Sequence, residues 1–150
     1  MISYELEMLS EGLIEQITPI LDTHRKELQS FSDMELNPNW DSYYALESIG
    51  ALITLIARDD KGIIVGYAVF IIAKNMHYSD NLYATEDVFY VVQDKRGTRI
   101  AVNLLKKSEK ILKMVGVNTV VHHAKFTNTF APFLKKFGYK ETEVMLAKRL

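Results

Sequence analysis

The chain has 150 residues, with 18 Lys and Arg against 19 Asp and Glu, 48% hydrophobic residues and no cysteine. This length and apolar fraction predict one domain with a single sizeable core, and they exclude an intrinsically disordered chain. The absence of cysteine excludes disulfides, thiolate metal sites and cysteine nucleophiles. A formal net charge of −1 gives no strong field for nucleic acid or an anionic membrane, so we expect neither partner.

The N-terminal residues form neither a basic leader nor an unbroken apolar segment. The longest apolar stretches, Ala51–Ala57 and Ile63–Ala73, are too short to cross a bilayer, which needs about 20 apolar residues in a helix. We therefore expect a cytoplasmic protein with one domain over residues 1–150. No metal site is expected, because no pair of histidines has the spacing of metal ligands.

The first predicted element is a strand over Ser3–Leu9, where apolar and polar residues alternate, and a capped helix follows it. Pro19 is expected to kink this helix or to open a second helix at its first position. A loop is predicted at Phe31–Pro38. A short helix at Asn39–Ile49 comes next, with an Asn cap at its start and a Gly after its end.

The middle of the chain carries three predicted strands. Ala51–Arg58 and Ile63–Ala73 are apolar, β-branched runs joined by a turn in which Gly62 supplies a positive φ. Leu82–Val92 is rich in Val, Tyr and Phe, which favour strands. The most periodic helix of the chain is then predicted at Ile100–Val115.

The last predicted elements are a strand at Val117–Ala124, a helix at Asn128–Phe137 and an alternating strand at Tyr139–Lys148. The complete order is β, α, α, β, β, β, α, β, α, β. This order predicts a mixed α/β fold with a largely antiparallel sheet and at least one crossover connection. The C-terminal strand offers an edge that could pair across a homodimer.

The segment Glu86–Leu105 is the most informative for function, because an apolar strand ends in a short basic turn that opens directly into a helix. Such a junction directs free backbone N–H groups and the positive end of the helix dipole to one place, which favours an anion. Gly97 permits close approach of the backbone, and Arg96 and Arg99 add cations suited to phosphate oxygens. A solvated turn is an equally simple interpretation of the junction taken alone.

The six residues from Arg96 to Ala101, RGTRIA, resemble the pyrophosphate loop of the GNAT superfamily of acyl-CoA-dependent N-acetyltransferases, Arg/Gln-x-x-Gly-x-Gly/Ala. Asn128–Tyr139 resembles the later helix of that superfamily, which ends in a Gly-Phe or Gly-Tyr pair. The predicted order of elements also matches over most of the chain. The stretch Asn37–Val69 resembles the middle of small GNAT proteins carried by bacteriophages.

The resemblance implies a three-layer α+β fold, with a twisted and mostly antiparallel sheet splayed between strands 4 and 5 and flanked by helices. It implies acetyl-CoA as co-substrate, with the pantetheine against main-chain groups of Val91 and Val92 and the distal part of the cofactor facing Asn128. The residues implied for the pyrophosphate are Arg96, Gly97, Thr98, Arg99, Ile100 and Ala101.

Two positions depart from the superfamily pattern. Arg99 stands where the pattern has its central Gly, and the position of a frequent Tyr general acid is Leu134, or Lys135 in an alternative register. For the base, we expect Glu86, because burial in an apolar strand near the splay would raise the pKa of its carboxylate. Asp87 faces the opposite side of a regular strand, although a bulge could exchange the two roles, and a solvated pair is the alternative for both.

Other polar and aromatic residues leave alternatives open. Of His122 and His123, which face opposite sides of a strand, we expect one to be packed and one exposed, although one could line the cleft. His24 and Glu27 have helical i, i+3 spacing and could reach the acceptor. Three aromatic residues of the short helix either shape the acceptor pocket or pack that helix on the sheet: Trp40, Tyr43 and Tyr44.

We therefore expect an N-acetyltransferase that moves an acetyl group from acetyl-CoA directly to a primary amine of a small molecule, a peptide or a protein lysine. The absence of cysteine favours direct transfer, because a cysteine-borne acyl-enzyme is excluded. One alternative is a non-catalytic module of the same fold that holds a partner. Another is a small ligand-sensing domain whose Arg96 and Arg99 bind a different anion.

Overall fold

The computed structural model describes residues 1–28, 31 and 33–150. The predicted loop Phe31–Pro38 includes Ser32, which lies outside the described residues. The strands are β1 (Ser3–Leu6), β2 (Leu52–Arg58), β3 (Ile64–Lys74), β4 (Leu82–Val91) and β5 (Thr119–Val121). The helices are α1 (Glu11–Leu28), α2 (Trp40–Ser48), α3 (Ile100–Met114) and α4 (Phe130–Lys135), and a single 3-10 turn lies at Gln93–Lys95.

The sheet has the strand order β1-β2-β3-β4-β5, so each strand neighbours the next one in sequence. β1 to β4 are antiparallel, whereas β5 runs parallel to β4 because α3 crosses over between them. The parallel pairing ends at Thr85 and Val121, although β4 continues to Val91. Beyond Thr85, no strand of the described chain covers this edge of β4. The predicted mixed sheet is confirmed, and its fourth and fifth strands share only a short ladder.

Helices cover both faces of the sheet, and each face has its own apolar cluster. On one face α3 packs its buried stripe against the strands, in a cluster that includes Leu55, Ala68, Phe70, Leu104 and Leu112. On the other face α1 and α2 pack against a second cluster that includes Leu13, Ile17, Ile56, Tyr67 and Tyr90. Full burial of such a side chain contributes about 2 kcal/mol, so the two clusters hold the helices on the sheet.

Local signals in the sequence set most element ends. The Ser10 hydroxyl accepts a hydrogen bond from the backbone N–H of Leu13 at 3.1 Å, and the Asn39 side chain accepts one from that of Ser42 at 3.1 Å. These contacts cap α1 and α2 as the sequence predicts. Gly62 has a φ of +78° in the turn between β2 and β3, which confirms the predicted hairpin.

Pro19 lies inside α1, which continues to Leu28, so no second helix begins at this residue. Proline lacks a backbone N–H, so this position of α1 has no main-chain donor for the preceding turn. The packing of α1 on the sheet through Leu13 and Ile17, both in the half of the helix before Pro19, outweighs that local cost.

The predicted C-terminal strand Tyr139–Lys148 is wrong, because residues 140–150 form neither strand nor helix. A strand needs an edge with a long enough ladder, and β5 offers only three residues. The C-terminal segment instead reaches the side of α1 and α2, where Arg149 Nη2 lies 2.7 Å from Asp33 Oδ2. Among the described residues, no helix is both long and apolar enough to span a membrane.

Candidate active site

The turn between β4 and α3 presents a group of open backbone donors. Gly97 has a φ of +77°, and a Cβ built on it would meet nothing within 4 Å, so the glycine provides the conformation rather than space. Within the described chain, the N–H groups of Gly97, Thr98, Arg99 and Ala101 donate to no acceptor. This is the backbone arrangement that an anion site requires, and the anion site itself stays a prediction.

The side chain of Arg96 is turned toward α1. Its Nε donates to the carbonyl oxygen of Val91 at 2.9 Å, and its Nη2 donates to Glu27 Oε2 at 2.6 Å. The guanidinium also lies 5.1 Å from the centre of the Tyr90 ring. Arg99 is exposed and has no acidic partner among the described residues, so it is the cation of the turn that remains open to an anion.

Glu27 completes this contact between the turn and α1. Its Oε1 accepts a hydrogen bond from the Tyr90 hydroxyl at 2.7 Å. Burial alone would raise the pKa of Glu27, but the bonds from Tyr90 and Arg96 outweigh it and lower that pKa. Burial, together with the Glu27 carboxylate, raises the pKa of Tyr90 to about 12. This phenol is thus held as a donor to Glu27.

The two main-chain positions predicted to meet the pantetheine differ in their surroundings. The N–H of Val92 donates to Val65 in β3 at 3.0 Å, and its carbonyl oxygen accepts from Lys95 at 3.0 Å. Because backbone groups alternate in direction along an antiparallel strand, those of Val91 face the other edge of β4. Val91 therefore lies on the uncovered edge beyond Thr85, where its carbonyl oxygen accepts from Arg96 Nε. Both backbone groups of Val92 have partners within the chain.

Asn128, predicted to face the cofactor, has a structural role at the start of α4. Its Oδ1 accepts a hydrogen bond from the backbone N–H of Phe130 at 3.0 Å. Leu134, which stands where the resemblance implies a Tyr acid, is buried in the same helix with 5% of its surface exposed. Lys135, which takes the position of the Tyr acid if the sequence is aligned in the alternative register, forms an ion pair with Glu141, with Nζ and Oε1 2.6 Å apart.

A β-bulge separates the two adjacent acidic residues of β4. Val69 of β3 pairs with Val88, and the next residue, Phe70, pairs with Glu86, so Asp87 is the extra residue of β4. Glu86 faces α3 and Asp87 faces α2. The bulge also places Asp87 and Val88 on the same side of the sheet, since Val88 packs in the cluster of α1 and α2.

Glu86 is buried, with 7% of its surface exposed, and it is hydrogen-bonded to Nδ1 of His122. Burial raises the pKa of Glu86, although the bond to His122 opposes the shift. The ring of His122 lies among Phe70, Phe89, Phe130 and Tyr139. His123 is exposed, which confirms that one of the two histidines is packed and the other is not.

Asp87 lies on the wall of a cavity of about 610 Å³ between the sheet, α1, α2 and described residues that precede α2, such as Leu36 and Pro38. The Tyr43 hydroxyl donates to Asp87 Oδ2 at 2.6 Å. Burial raises the pKa of Tyr43, and the Asp87 carboxylate adds to this shift, so the phenol stays protonated. Trp40 and Tyr43 line the cavity and also pack against the apolar cluster on the sheet, so both sequence interpretations hold for them, whereas Tyr44 does not line the cavity.

His24 lines the same cavity. Its ring is stacked on Tyr90 with centroids 4.4 Å apart, and its Nδ1 lies 3.3 Å from the Tyr67 hydroxyl. Burial lowers the pKa of His24 to about 4, against the opposite effect of Glu27, so the ring is neutral near pH 7. Sequence reasoning missed Tyr67 and Thr54 of this wall, because their strands read only as apolar runs.

Two comparisons with known proteins bear on this geometry. The model of the acetyltransferase (GNAT) family matches residues 15–139. No curated protein matches the chain.

Solved structures share the fold at low identity. A ribosomal-protein-alanine N-acetyltransferase from Brucella melitensis biovar Abortus 2308 is 19% identical, with a TM-score of 0.73 and coverage of 100% of this chain and 99% of that one. An aminoglycoside acetyltransferase from an uncultured soil metagenomic sample is 16% identical, with a TM-score of 0.74 and coverage of 99% and 96%. A protein described as a predicted acetyltransferase, with acetyl-CoA, from Clostridium acetobutylicum is 16% identical, with a TM-score of 0.68 and coverage of 99% and 96%.

The family model covers most of the chain, and these structures share its fold. The segment that it matches includes the turn with open N–H donors, the bulged strand β4 and helix α4. The chain belongs to the GNAT family of acetyltransferases.

Proposed function

We propose that the protein transfers an acetyl group from acetyl-CoA directly to a primary amine. The observation that carries this proposal is the placement of two features on β4, with open N–H donors after its end and the Asp87 carboxylate on a cavity at its bulge. The first suits a pyrophosphate, and the second suits an amine. Acetyl-CoA, when bound, supplies an acyl group activated as a thioester.

The residues present fit acetyl-CoA. The N–H groups of Gly97, Thr98 and Ala101 would hold the pyrophosphate, and Arg99 would add the positive charge. The uncovered edge at Val91 would meet the amides of the pantetheine, as the family resemblance implies. The same resemblance supports a position beside the cofactor for two further residues, Ile100 and Asn128. Arg96, held by Glu27, would orient the turn rather than bind phosphate directly.

The acceptor amine must lose a proton to attack the thioester carbonyl. That first proton passes to water. As the new C–N bond forms and the C–S bond breaks, the nitrogen gives up a second proton, which water carries to the departing CoA thiolate. Of the two carboxylates that line the cavity wall, Glu35 and Asp87, Asp87 comes from the sheet and is oriented by Tyr43, so we assign the contact with the amine to it. Glu86, which the sequence predicts as the base, is not on that wall, and its role as base stays a prediction that Glu86→Gln tests.

A second candidate is a non-catalytic module that binds CoA or a partner. The observation that favours it is Leu134, because the position of the family's frequent Tyr acid lies in the core. The two phenols that could replace it, Tyr90 and Tyr139, donate to Glu27 and Glu109. A cytoplasmic setting and the narrower likeness to bacteriophage proteins accompany the first proposal as predictions.

Calorimetric titration with acetyl-CoA tests the proposal first, and release of free CoA thiol with a panel of amines tests it second. Arg99→Glu should abolish binding, whereas Lys110→Glu, the same charge change on the exposed side of α3, should weaken it much less. Thiol release that disappears in Asp87→Asn would support transfer and exclude the non-catalytic module. Absence of acetyl-CoA binding to the unmutated protein would disprove the proposed transfer and would leave only a module that holds a partner.

A further inference from the structure

We infer that the acceptor is a small primary amine carried on a bulky apolar body, an inference that rests on the proposed function. The ammonium group lies at Asp87, and the body fills the cavity between α1, α2 and the sheet. Polyamines and aminoglycosides, which carry several positive charges, are thereby disfavoured as acceptors.

The size and walls of the cavity define the apolar body. Its volume of about 610 Å³ lies in the range of pockets that bury small organic ligands. The floor consists of buried side chains, among them Leu13, Ile17 and Leu52. Trp40 and Leu36 line it from the side of α2 and the segment before it. Such a surface stabilises a ligand by taking apolar area out of water.

The charges that face the cavity are balanced in number and do not favour a ligand with several ammonium groups. Two lining side chains are cationic, Arg25 and Lys125, and two are anionic, Glu35 and Asp87. His24 is neutral near pH 7. A polycation would need an excess of carboxylates over cations, and the lining has no such excess. Asp87 is the carboxylate that comes from the sheet, and its Oδ2 is already oriented by Tyr43.

Thr54 adds one hydrogen-bonding site to the apolar floor. It is 5% exposed, it lines the cavity, and its hydroxyl has no partner among the described residues. A buried hydroxyl without a partner is unfavourable until a ligand supplies one. The apolar body therefore carries a polar atom, such as a hydroxyl group, on the part that rests on β2.

Trp40 allows a binding test that does not depend on catalysis. It is the single tryptophan of the chain and it lines the cavity, so its fluorescence should report occupancy. We expect 4-phenylbutylamine to change this fluorescence saturably, and spermidine and kanamycin to do so only at concentrations at least about tenfold higher, since they lack the apolar body, whose burial accounts for at least about a factor of ten. Equal or tighter binding of spermidine or kanamycin would overturn the inference.

Asp87→Asn tests the contact with the ammonium group separately from the contacts with the apolar body. It should weaken the binding of 4-phenylbutylamine about tenfold and leave the affinity for the neutral 4-phenylbutanol unchanged within twofold. In the unmutated protein we expect 4-(2-aminoethyl)phenol to bind more tightly than 2-phenylethylamine, because its hydroxyl group can pair with that of Thr54. Thr54→Val should remove this difference in affinity. If Asp87→Asn weakens the alcohol as much as the amine, Asp87 does not hold the ammonium and the inference fails.

A pair of charge-introducing variants tests the apolar wall. Leu36→Glu should weaken 4-phenylbutylamine severalfold, whereas Met76→Glu, on an exposed residue outside the cavity, should have no effect. In the thiol-release assay with acetyl-CoA, kcat/KM should follow the same order of amines. A Leu-initial tripeptide that exceeds every small amine would overturn the small-molecule class. Tight binding of 4-phenylbutylamine without thiol release would contradict the proposed transfer but support the ligand class.

Discussion

Arg96 and Glu27 join the turn at the start of α3 to the last part of α1, with Nη2 and Oε2 2.6 Å apart. The same turn carries the open N–H donors, and α1 carries Leu13, Ile17 and His24 of the cavity wall. One ion pair thus connects the two parts of the candidate site. The two arginines therefore have different roles, because Arg96 is paired with Glu27 and Arg99 has no acidic partner among the described residues.

We predict that Arg99→Gln weakens acetyl-CoA binding more than Arg96→Gln does. Arg99 offers its charge to the anion, whereas the charge of Arg96 is already balanced by Glu27. The loss for Arg99→Gln should be about tenfold at low salt and should shrink as salt rises. Calorimetric titrations at two salt concentrations measure both effects.

Arg96→Gln should act mainly on folding. It removes the bonds to Val91 and Glu27, and among the described residues it leaves Tyr90 as the hydrogen-bond donor to the Glu27 carboxylate. We expect the free energy of unfolding to fall by about 1 kcal/mol. A larger loss of acetyl-CoA affinity for Arg96→Gln than for Arg99→Gln would contradict this division.

His24 predicts a loss of stability in mild acid. The unfolded chain binds a proton at the ordinary pKa of His, about 6.5, whereas the folded chain binds it only near a pKa of about 4. Between these values the unfolded state holds more protons, so the free energy of unfolding falls as the pH decreases through this range. Below a pH of about 4 both states are protonated at His24, and the free energy of unfolding loses nothing further from this group.

His24→Phe keeps a ring against Tyr90 and removes the titration. Urea unfolding at pH 7.5 and 4.5 should show that the variant loses less stability in acid than the unmutated protein, by on the order of 2 kcal/mol after allowance for partial exposure. Equal losses in both proteins would mean that His24 does not titrate differently in the folded state.

Glu86 predicts the opposite dependence. Burial raises its pKa in the folded state, so the folded chain holds the proton more tightly than the unfolded chain does. The contribution of Glu86 to the free energy of unfolding is therefore greatest below the ordinary pKa of Glu, and it falls as the pH rises through the raised pKa. Glu86→Gln, which cannot ionise, should gain stability relative to the unmutated protein as the pH rises above the ordinary pKa of Glu. Urea unfolding between pH 4 and pH 8 measures the gain, and a constant difference would contradict it.

We predict that the C-terminal segment contributes to binding of the acceptor amine and not to binding of acetyl-CoA. Met145 and Ala147 line the cavity, and Arg149 pairs with Asp33. Deletion of residues 145–150 should raise the KM for an apolar amine about fivefold, because apolar wall is lost, and leave the affinity for acetyl-CoA unchanged. Asp33→Asn, which breaks only an exposed ion pair, should have a smaller effect. An unchanged KM in the deletion variant would show that the segment takes no part in binding.

The sequence predicts the elements whose signals are local. The stripe of α3, the caps at Ser10 and Asn39 and the hairpin with Gly62 depend on neighbouring residues, and the structure confirms them. The alternation at Tyr139–Lys148 is equally clear, but a strand depends on a distant edge that β5 is too short to provide.

The site shows the same distinction. The open donors after Gly97 follow from a strand, a glycine and a helix in succession. The direction of Arg96 does not, because its partner Glu27 is 69 residues away. Which of Glu86 and Asp87 faces the cavity depends on where β3 and β4 shift register, and the bulge appears only when the two strands are aligned.

The short ladder between β4 and β5 has a consequence for how stability is distributed along the chain. After Val121, the remaining segment is attached to the sheet by side-chain packing, such as Phe130 against Phe89, rather than by strand hydrogen bonds. Local opening of such a segment costs less free energy than global unfolding. Amides beyond Val121 should therefore exchange with solvent well before those of β3. An extended ligand paired along the uncovered edge of β4 would slow that exchange and act as a missing strand of the sheet.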